Sequence, residues 1–435
     1  MPRDNKKLIA GIYFDQGSIN LKDNAKIILG KNFKRVVDLF DAYYQLKGLH
    51  KYKWFLYIPI SVLYFYNLMK FGDTKIKRLF WDGRRQDHII FGIYLGGYFK
   101  TIYFVFRQVG KLARFIYLIT GNKIDVIAFP DEVYGGVLLS YYCYEKQYYI
   151  ITNFTDYRYS FSINNYNSGA SYRFSDRYRL PNTLGHVDKQ VKIGQSYIEE
   201  IFSGSASHKD FAKSYSTKPF FKLYNRIGRS DIRLNILVAM HNVTDAPSAL
   251  DMAFERFEDW YIHIRDELCD GTCSVYVKDH PTASSHEHRK FIEKINANLP
   301  SNFCFIPQSY QVDLREFDVI LSCDGSIFYE ASVMHVAGIS FAKGNAQALS
   351  TVASYNPQVP LVQQILQNHN PAADLENDRI IIYNWHVRHD LKRFNMHKNV
   401  NIPELSQLKR NTSYRSIYSL ENHEVIFEEC IGSIL

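Results

Sequence analysis

The chain has 435 residues, of which 46% are hydrophobic, 15% aromatic and 22% charged, and its formal net charge is +8. This length supports two or three domains, and the composition excludes a disordered, collagenous or disulfide-scaffold protein. Residues 1–120 carry 21 Lys and Arg against 8 Asp and no Glu. We therefore expect an anionic partner for the first half of the chain: a glycan, a lipid pyrophosphate or an acidic membrane surface. No zinc finger, recognition helix or RNP-type motif accompanies this charge, so nucleic acid is not an expected partner.

Two features of the sequence bear on the location of the protein. The six cysteines form no CxxC pair and no regular framework, which indicates free thiols in a reducing, cytoplasmic compartment. An uncharged run over residues 54–69 is shorter than the roughly 20 residues of a membrane-spanning helix. It predicts a buried strand-turn-helix, with a membrane-surface element as the alternative. We expect a cytoplasmic protein, and the inner face of the inner membrane is the second location that fits.

The first half of the chain has an irregular α/β pattern. Strands are predicted at residues 8–14, 77–81, 103–106, 123–130 and 147–153, and helices at residues 33–48, 108–120 and 134–146. The last two strands and the helix between them form one βαβ unit. Residues 160–194 are rich in Ser, Asn, Tyr and Arg without periodicity, which predicts long loops. We assign residues 1–230 to an α/β domain on the acceptor side.

The second half alternates strands and helices more regularly. Strands are predicted at residues 233–240, 274–278, 303–306, 319–322 and 338–342, and helices at residues 248–268, 286–299, 311–317 and 326–336. Short connections between them imply a parallel sheet with right-handed crossovers. We predict a Rossmann-type domain over residues 231–435, with a last helix at residues 420–431 that packs back on the first domain. The predicted fold class is α/β, with two Rossmann-type domains facing a central cleft.

Two segments follow directly after predicted strands, where parallel α/β sheets bind ligands. Lys278-Asp279-His280-Pro281 ends one strand with an ammonium and an imidazole, and Pro281 stops it. Ser322-Cys323-Asp324-Gly325-Ser326 ends another strand and opens the next helix. Because helix N-termini present N–H groups to anionic oxygens, both segments are candidates for binding a phosphate. The alternative for the first segment is a surface turn that happens to contain His-Pro.

The second segment carries several candidate binding residues. Ser322 lies at the strand end, Gly325 permits a close backbone approach, and Ser326 is a predicted N-cap. Glu330 shares a helix face with Ser326, from which its carboxylate would reach a ribose diol. The alternative is a capped core helix whose Glu330 is solvated or paired with a base.

A third segment, Met240-His241-Asn242-Val243-Thr244-Asp245, ends the first strand of the same predicted sheet. Asp245 precedes Pro247 and could cap the next helix. It could equally face the ligand as a nucleophile or base, roles that carboxylates serve in glycosyl transfer because the transition state is positively charged at the anomeric carbon.

These three segments, in this order and spacing, resemble the GT-B-like bacterial polysaccharide glycosyltransferases, and within them the retaining β-Kdo transferases of capsule and O-antigen synthesis. The resemblance covers residues 231 to about 345. It implies that Asp245 is the nucleophile of a double displacement, that His280 and Ser326 hold the phosphate or carboxylate of the donor, and that Glu330 lies near the nucleotide ribose. The chain departs from the family at His241, where a Gln is usual, and at Asp279, where a Pro is usual.

Other candidate residues have weaker patterns. Arg84 and Arg85 form a turn-like basic cluster, and Glu132 follows a predicted strand, so these three are assigned to the acceptor side. His286 and His288 flank Glu287, but positions two apart on a helix point in different directions, and we predict a surface helix rather than a metal site. Neither a GxGxxG fingerprint nor a P-loop is present, which argues against a dinucleotide oxidoreductase or a P-loop enzyme. We expect no cofactor, and no metal because His286 and His288 have no third ligand in the pattern.

The resemblance implies a nucleotide-sugar-dependent glycosyltransferase that acts on a bacterial cell-surface polysaccharide or its lipid-linked precursor. The expected donor is a CMP-linked Kdo-type ulosonic acid, bound by His241, Lys278, Ser322, Gly325, Ser326 and Glu330, with Asp245 and His280 as the catalytic pair. The expected acceptor is an anionic or lipid-linked glycan. Three alternatives stay open: a UDP-sugar transferase, a CDP-polyol phosphotransferase, and a catalytically silent subunit that holds a glycan or a partner enzyme.

Overall fold

The protein is described here from a computed structural model. The described residues are 7–13, 22, 25–26, 29–30, 33–128, 136–146, 148–152, 160–163, 218–223, 234–245, 247–248, 252–281, 283–343, 345–371, 374, 376–379, 381–382, 413–418 and 425–428. The chain divides into two compact units. The first comprises Met1–Arg84, His88–Arg173 and Val387–Leu435, and the second comprises Arg85–Asp87 and Phe174–His386.

The strands and helices are labelled here in chain order. The strands are β1 (Ile9–Ile12), β2 (Arg35–Asp38), β3 (Ile89–Ile90), β4 (Ile93–Tyr94), β5 (Val126–Ala128), β6 (Tyr149–Thr152), β7 (Ser160–Ile163), β8 (Asn235–Ala239), β9 (Ser274–Lys278), β10 (Phe303–Ile306), β11 (Val319–Ser322), β12 (Ala337–Ser340), β13 (Val352–Ser354), β14 (Ser413–Tyr418) and β15 (Val425–Glu428). The α-helices are α1 (Leu39–Tyr44), α2 (Ile58–Phe71), α3 (Thr74–Asp82), α4 (Gly97–Gly121), α5 (Val137–Glu145), α6 (Phe257–Leu268), α7 (His286–Asn296), α8 (Ile327–Val333) and α9 (Leu361–Asn368).

The first unit is built on a seven-stranded mixed sheet with the order β15-β14-β7-β6-β5-β1-β2. Strands β2, β1, β5 and β6 pair in parallel, and β7, β14 and β15 continue the sheet in antiparallel pairing. The predicted βαβ unit is confirmed, because α5 connects the parallel neighbours β5 and β6. The predicted C-terminal helix at residues 420–431 is wrong: the described part of this segment is β15, which completes the sheet of the first unit.

Two predicted strands of the first unit are helices. Residues 77–81 lie in α3, where Ile76, Leu79 and Phe80 are buried at the spacing of a helix face. Residues 103–106 lie inside the 25-residue helix α4. In both segments a short run of apolar residues is compatible with a strand as well as with a helix. Packing against other helices stabilises the helical conformation.

Two further segments of the first unit differ from the sequence-based predictions. The predicted helix at residues 33–48 contains strand β2, and Asp38 at its end accepts hydrogen bonds from the backbone N–H groups of Phe40 and Asp41, which starts α1. The uncharged run at residues 54–69 is not a buried strand-turn-helix. It covers the end of a 3-10 helix, Gly48–Tyr57, and most of α2, and much of its apolar surface is exposed.

The second unit contains a six-stranded sheet, and every strand pair in it is parallel. Its order is β10-β9-β8-β11-β12-β13. If the six strands are numbered along the chain, their order in the sheet is 3-2-1-4-5-6, which is the order of a doubly wound Rossmann sheet. The strand order, but not the strand direction, reverses between the first strand, β8, and the fourth, β11. The predicted α/β class is confirmed in both units. The domain boundary at residue 230 lies outside the described residues.

Alternating side chains of this sheet enter two cores on its opposite faces. On one face Ile236, Val238 and Val277 pack with Trp260 of α6 and Ile365 of α9. On the other, Leu237 and Ile320 pack with Phe328 of α8. Burial on both faces explains why these strands read as continuous apolar runs in the sequence.

Strands β9, β10 and β11 have the predicted bounds, whereas several helices of the second unit do not. The helix predicted at residues 248–268 begins only at Phe257, so Asp245 does not cap it. Strand β13 and helix α9 were not predicted. Among the described residues, five cysteines are free thiols, and no helix is long and apolar enough to cross a membrane.

Candidate functional site

The candidate site lies at the carboxyl edge of the parallel sheet of the second unit. Strands β8 and β11 are neighbours there, and the strand order reverses between them. Loops that leave two such strands turn to opposite faces of the sheet, which opens a crevice between them where ligands bind in this type of fold. The segment after β8 contains His241 and Asp245, and the segment after β11 contains Asp324.

His241 and Asp245 form a hydrogen-bonded pair directly after β8. Their Nε2 and Oδ2 atoms are 3.0 Å apart, and the side chain of Asp245 remains 44% exposed. Asn242 holds the intervening turn: its carbonyl accepts from the backbone N–H of Asp245, and its side chain accepts from Thr244. The ring of Phe257, at the start of α6, lies 4.7 Å from that of His241. The carboxylate of Asp245 is therefore both oriented and accessible.

His280 joins this pair from the next strand, β9. Its ring centroid is 6.0 Å from that of His241. Burial, followed by the repulsion of His241 and His288, lowers the pKa of His280 to about 4. The ring is consequently neutral at physiological pH. It can donate one hydrogen bond and accept one, but it does not offer the positive charge that a phosphate-binding imidazolium would.

A buried pair, Asp279 and His288, connects strand β9, helix α7 and the turn that carries Asp245. The Nε2 atom of His288 is 2.8 Å from Oδ1 of Asp279, and its Nδ1 accepts a longer hydrogen bond, 3.4 Å, from the backbone N–H of Val243. The hydrogen between Nε2 and Asp279 therefore lies on Nε2, and Nδ1 serves as the acceptor. Since Val243 belongs to the turn that carries Asp245, His288 ties α7 to that turn.

The structure corrects the sequence-based interpretation of α7. His288 is 1% exposed, not on a surface helix face. A buried carboxylate requires a partner, and the fold supplies His288 as the partner of Asp279. No group of three or more His, Cys, Asp or Glu that could hold a metal ion occurs in the described part of the chain.

Lys278 and Ser322 are bonded to backbone carbonyls at this edge. The Nζ atom of Lys278 donates to the carbonyls of Asp279 at 2.8 Å and Pro307 at 3.2 Å. Burial lowers the pKa of Lys278 to about 8. The hydroxyl of Ser322 is 3.1 Å from the carbonyl of Ala239, the last residue of β8. Both side chains therefore hold the strand ends together, and their predicted role in donor binding stays a prediction.

Asp324 is a further acidic group of the site that the sequence analysis did not select. Desolvation raises the pKa of its carboxyl, while the hydrogen bond from the backbone of Gly325 and the charge of His241 lower it. The adjacent Gly325 has φ +142°, a conformation that favours glycine, and an added Cβ would meet no heavy atom within 4 Å. The loop after β11 thus approaches His241 through Asp324.

Ser326 and Glu330 are on the helix that follows this loop. Ser326 occupies the N-cap position of α8, as predicted, but its side chain makes no capping hydrogen bond. Glu330 lies in the first turn of the seven-residue helix, and its backbone N–H bonds to the carbonyl of Ser326. Their proposed contacts with a phosphate and a ribose stay predictions.

Arg84 and Arg85, two of the three residues assigned to the acceptor side, are bonded to other groups of the protein. Arg84 donates from Nη1 to the hydroxyl of Thr101 at 2.9 Å. Arg85 donates to the carbonyl of Glu255 at 2.8 Å and forms an ion pair of 3.5 Å with Glu258. Both guanidinium groups thus have protein partners. Glu132 lies outside the described residues.

Taken together, the ends of β8, β9 and β11 bring His241, Asp245, His280 and Asp324 into one cluster. An exposed carboxylate, oriented by a histidine at the reversal point of a parallel sheet, can attack an electrophilic carbon or accept a proton. The neutral imidazole of His280 supplies a hydrogen-bond donor that carries no positive charge.

No family model matches the chain, and no curated protein matches it. Among solved structures it is similar to the KpsC beta Kdo 2,4 transferase of Thermosulfurimonas dismutans, with 9% identity, 70% of this chain and 84% of that chain covered, and a TM-score of 0.36. The beta Kdo 2,7 transferase of the same organism gives 8% identity, coverage of 97% and 96%, and a TM-score of 0.36. A UDP-GlcNAc 2-epimerase of Methanocaldococcus jannaschii in complex with UDP-GlcNAc and UDP gives 11% identity, coverage of 86% and 98%, and a TM-score of 0.33. Identities and TM-scores this low do not establish a family for the chain.

Proposed function

We propose that the chain is a nucleotide-sugar-dependent glycosyltransferase that binds its donor at the reversal point of the sheet in the second unit. The observation that carries this proposal is the oriented, accessible carboxylate of Asp245, 3.0 Å from His241 and directly after β8. The preferred donor is a CMP-linked Kdo-type sugar, transferred with retention of configuration to a cell-surface glycan or its lipid-linked precursor. The choice of sugar depends on the resemblance of the three sequence segments alone.

In the proposed reaction a carboxylate oxygen of Asp245 attacks the anomeric carbon of the donor. The bond from that carbon to the phosphate oxygen breaks, and CMP leaves with the electron pair. A hydroxyl oxygen of the acceptor then attacks the same carbon, the bond to Asp245 breaks, and the carboxylate is regenerated. Two inversions give overall retention.

The pair of His241 and Asp245 suits the second step. With Nε2 donating to Asp245, the unprotonated Nδ1 of His241 accepts the proton of the acceptor hydroxyl. The imidazolium forms at the moment when the negative charge returns to Asp245, so the two charges stabilise each other across the hydrogen bond. His280 is too weak a base for this role because its pKa is lowered to about 4, and we assign it to orienting the donor by a neutral hydrogen bond.

Nucleotide binding is the first test. Thermal unfolding of the full chain is measured with CMP, CDP, UDP and GDP, for the wild type and for His280→Ala. A stabilisation by CMP that is reduced by His280→Ala is the expected result. Stabilisation by UDP or CDP instead identifies a UDP-sugar transferase or a CDP-polyol phosphotransferase on the same scaffold. No response to any nucleotide contradicts the proposal and favours a silent glycan-binding or partner-binding subunit.

The role of Asp245 is tested separately by Asp245→Asn. Because the amide is not a nucleophile, we expect release of CMP from CMP-Kdo to fall by about a hundredfold or more, while stabilisation by CMP is retained. Asp266→Asn is the matched control, since the side chain of Asp266 is 60% exposed on α6 and pairs with Arg265. Intact-protein mass spectrometry should detect a sugar adduct on the wild type but not on Asp245→Asn. Equal CMP release by both variants would exclude Asp245 as the nucleophile.

A further inference from the structure

Four elements of the first unit pack together: the 3-10 helix Gly48–Tyr57, α2, α3 and α4. With the β3–β4 hairpin, which lies between α3 and α4 along the chain, they form what we call the helical layer. Aromatic rings join them. Phe80 of α3 lies 5.5 Å from Phe65 of α2 and 5.0 Å from Phe104 of α4. Trp54 of the 3-10 helix stacks under the guanidinium of Arg114 of α4 at 5.0 Å. The layer is therefore held by its own apolar interior.

The same layer exposes large apolar side chains on the opposite sides of its elements. Leu56 of the 3-10 helix is 79% exposed, Leu63 of α2 is 53% exposed and Phe106 of α4 is 73% exposed. Only one residue of the 14 in α2 is charged, Lys70. A surface helix of a globular protein normally turns a polar face to water, so an apolar outer face requires a nonaqueous partner.

The β3–β4 hairpin gives a second, independent observation. Its two-residue turn consists of Phe91 with φ +49° and Gly92 with φ +80°. Turns with positive φ at both positions favour Asn-Gly, and a bulky residue in the left-handed region is rare. The side chain of Phe91 is nevertheless fully exposed, at 100%. An unfavourable backbone conformation at an exposed aromatic tip points to a function in binding rather than in folding.

The charge of the layer identifies the partner. Residues 47–107 contain eleven Lys and Arg against three Asp and no Glu. Lys51, Lys53 and Arg107 are exposed beside the apolar side chains. Lys70 lies 5.5 Å from the ring centroid of Tyr66, an amphipathic pairing suited to the boundary between water and lipid. Apolar residues that enter the acyl region, flanked by cations that meet lipid phosphates, match an anionic bilayer.

We propose that the helical layer is a membrane-association face, by which the chain lies on the surface of an anionic phospholipid bilayer with Phe91 inserted at the boundary between headgroups and acyl chains. Leu63 and Tyr66 of α2 supply further apolar contact, and Lys51 and Lys53 bind lipid phosphates. This assignment is independent of the sugar-transfer reaction and of Asp245.

The test is co-sedimentation of the full chain with two kinds of vesicle, phosphatidylcholine alone and phosphatidylcholine containing phosphatidylglycerol. We expect binding to the anionic vesicles that weakens as salt rises, since exposed charges are screened. Lys51→Gln with Lys53→Gln should weaken binding by roughly fivefold for each lysine. Lys290→Gln, an exposed lysine of α7 in the second unit, is the matched control and should have no effect.

Phe91→Asn is the sharpest variant because Asn suits the left-handed backbone of the turn better than Phe does. It should preserve or improve folding while reducing vesicle affinity about tenfold, the size expected for one buried aromatic ring. Leu63→Gln with Tyr66→Gln should weaken binding likewise, whereas Leu366→Gln on α9, a leucine 56% exposed, should not.

Three results would overturn the proposal. One is absence of binding to anionic vesicles, and another is equal binding by wild type and Phe91→Asn. The third is a change of oligomeric state in size-exclusion chromatography, caused by the apolar variants without any change in vesicle binding, which would identify the face as a contact between copies of the chain.

Discussion

Three histidines within the candidate site have different tasks, set by their neighbours. His288 is buried and bonded to both Asp279 and the backbone of Val243, so its tautomer is fixed. His241 shares a hydrogen bond with the exposed carboxylate of Asp245. His280 lies between these pairs, and burial keeps its ring neutral. Desolvation of the His280 ring therefore outweighs the attraction of the nearby carboxylates of Asp245 and Asp279 for a proton on it.

The neutral state of His280 predicts a pH dependence of stability. The pKa of this ring is about 4 in the folded chain and 6.5 is its ordinary value, which we take for the unfolded chain. As the pH falls from 6.5 to 4, the unfolded chain takes up a proton that the folded chain does not, so stability is lost. We expect His280→Gln to remove about 1–3 kcal/mol of this loss, a range that allows for partial exposure of the ring. Urea unfolding at pH 7 and pH 4.5 measures it, and His335→Asn, at an exposed histidine, is the control.

Strand β12 packs closely against α8. A Cβ added to Gly338 would lie 2.7 Å from Cδ1 and 2.8 Å from Cε1 of the Phe328 ring, which is fully buried. Gly338→Ala should therefore lower the free energy of unfolding by about 1–3 kcal/mol, as expected for overpacking. Gly121→Ala, where no heavy atom lies within 4 Å, is the control, and it should be neutral or slightly stabilising at the end of α4. Chemical denaturation that gave equal stabilities for both variants would contradict this packing.

The accuracy of the sequence-based predictions also varies by element. Strands β9, β10 and β11 could be predicted to the residue because their side chains are buried or half-buried on both faces and short turns bound them. The segments around Phe80 and Phe104 could not, because the choice between helix and strand depended on aromatic partners far away in sequence. At the site, His241, Asp245 and His280 were predicted from their positions after strands, and the structure brings them together. His288 was missed, since only the fold reveals that its helix faces Asp279.

The two units are discontinuous in sequence. The sheet of the first unit includes β14 and β15, which follow the second unit along the chain. The second unit takes in Arg85–Asp87 from within the first, and the Asp87 carboxylate accepts hydrogen bonds from the backbone N–H groups of His286 and Glu287 at the start of α7.

This arrangement predicts unequal behaviour of fragments. A fragment of residues 174–386 should unfold cooperatively and retain the response to CMP, with a loss of about 1 kcal/mol because α7 lacks the Asp87 cap. A chain that ends at residue 386 should have a less stable first unit, because β7 becomes an edge strand. Calorimetry and light scattering of both proteins test this. A stable, soluble first unit without β14 and β15 would contradict the observed sheet order.

The late position of β14 has a consequence for the synthesis of the protein. Strand β7 ends at Ile163, and its partner β14 begins at Ser413, so about 250 residues separate them. At a ribosomal rate of roughly 5–20 residues per second, the nascent chain spends about 12–50 s with β7 made and its partner absent. The second unit, which is continuous apart from three residues, can fold during this interval. We therefore expect the first unit to complete its sheet last. Cells that make this protein would need to shield the unpaired edge of β7 until translation ends.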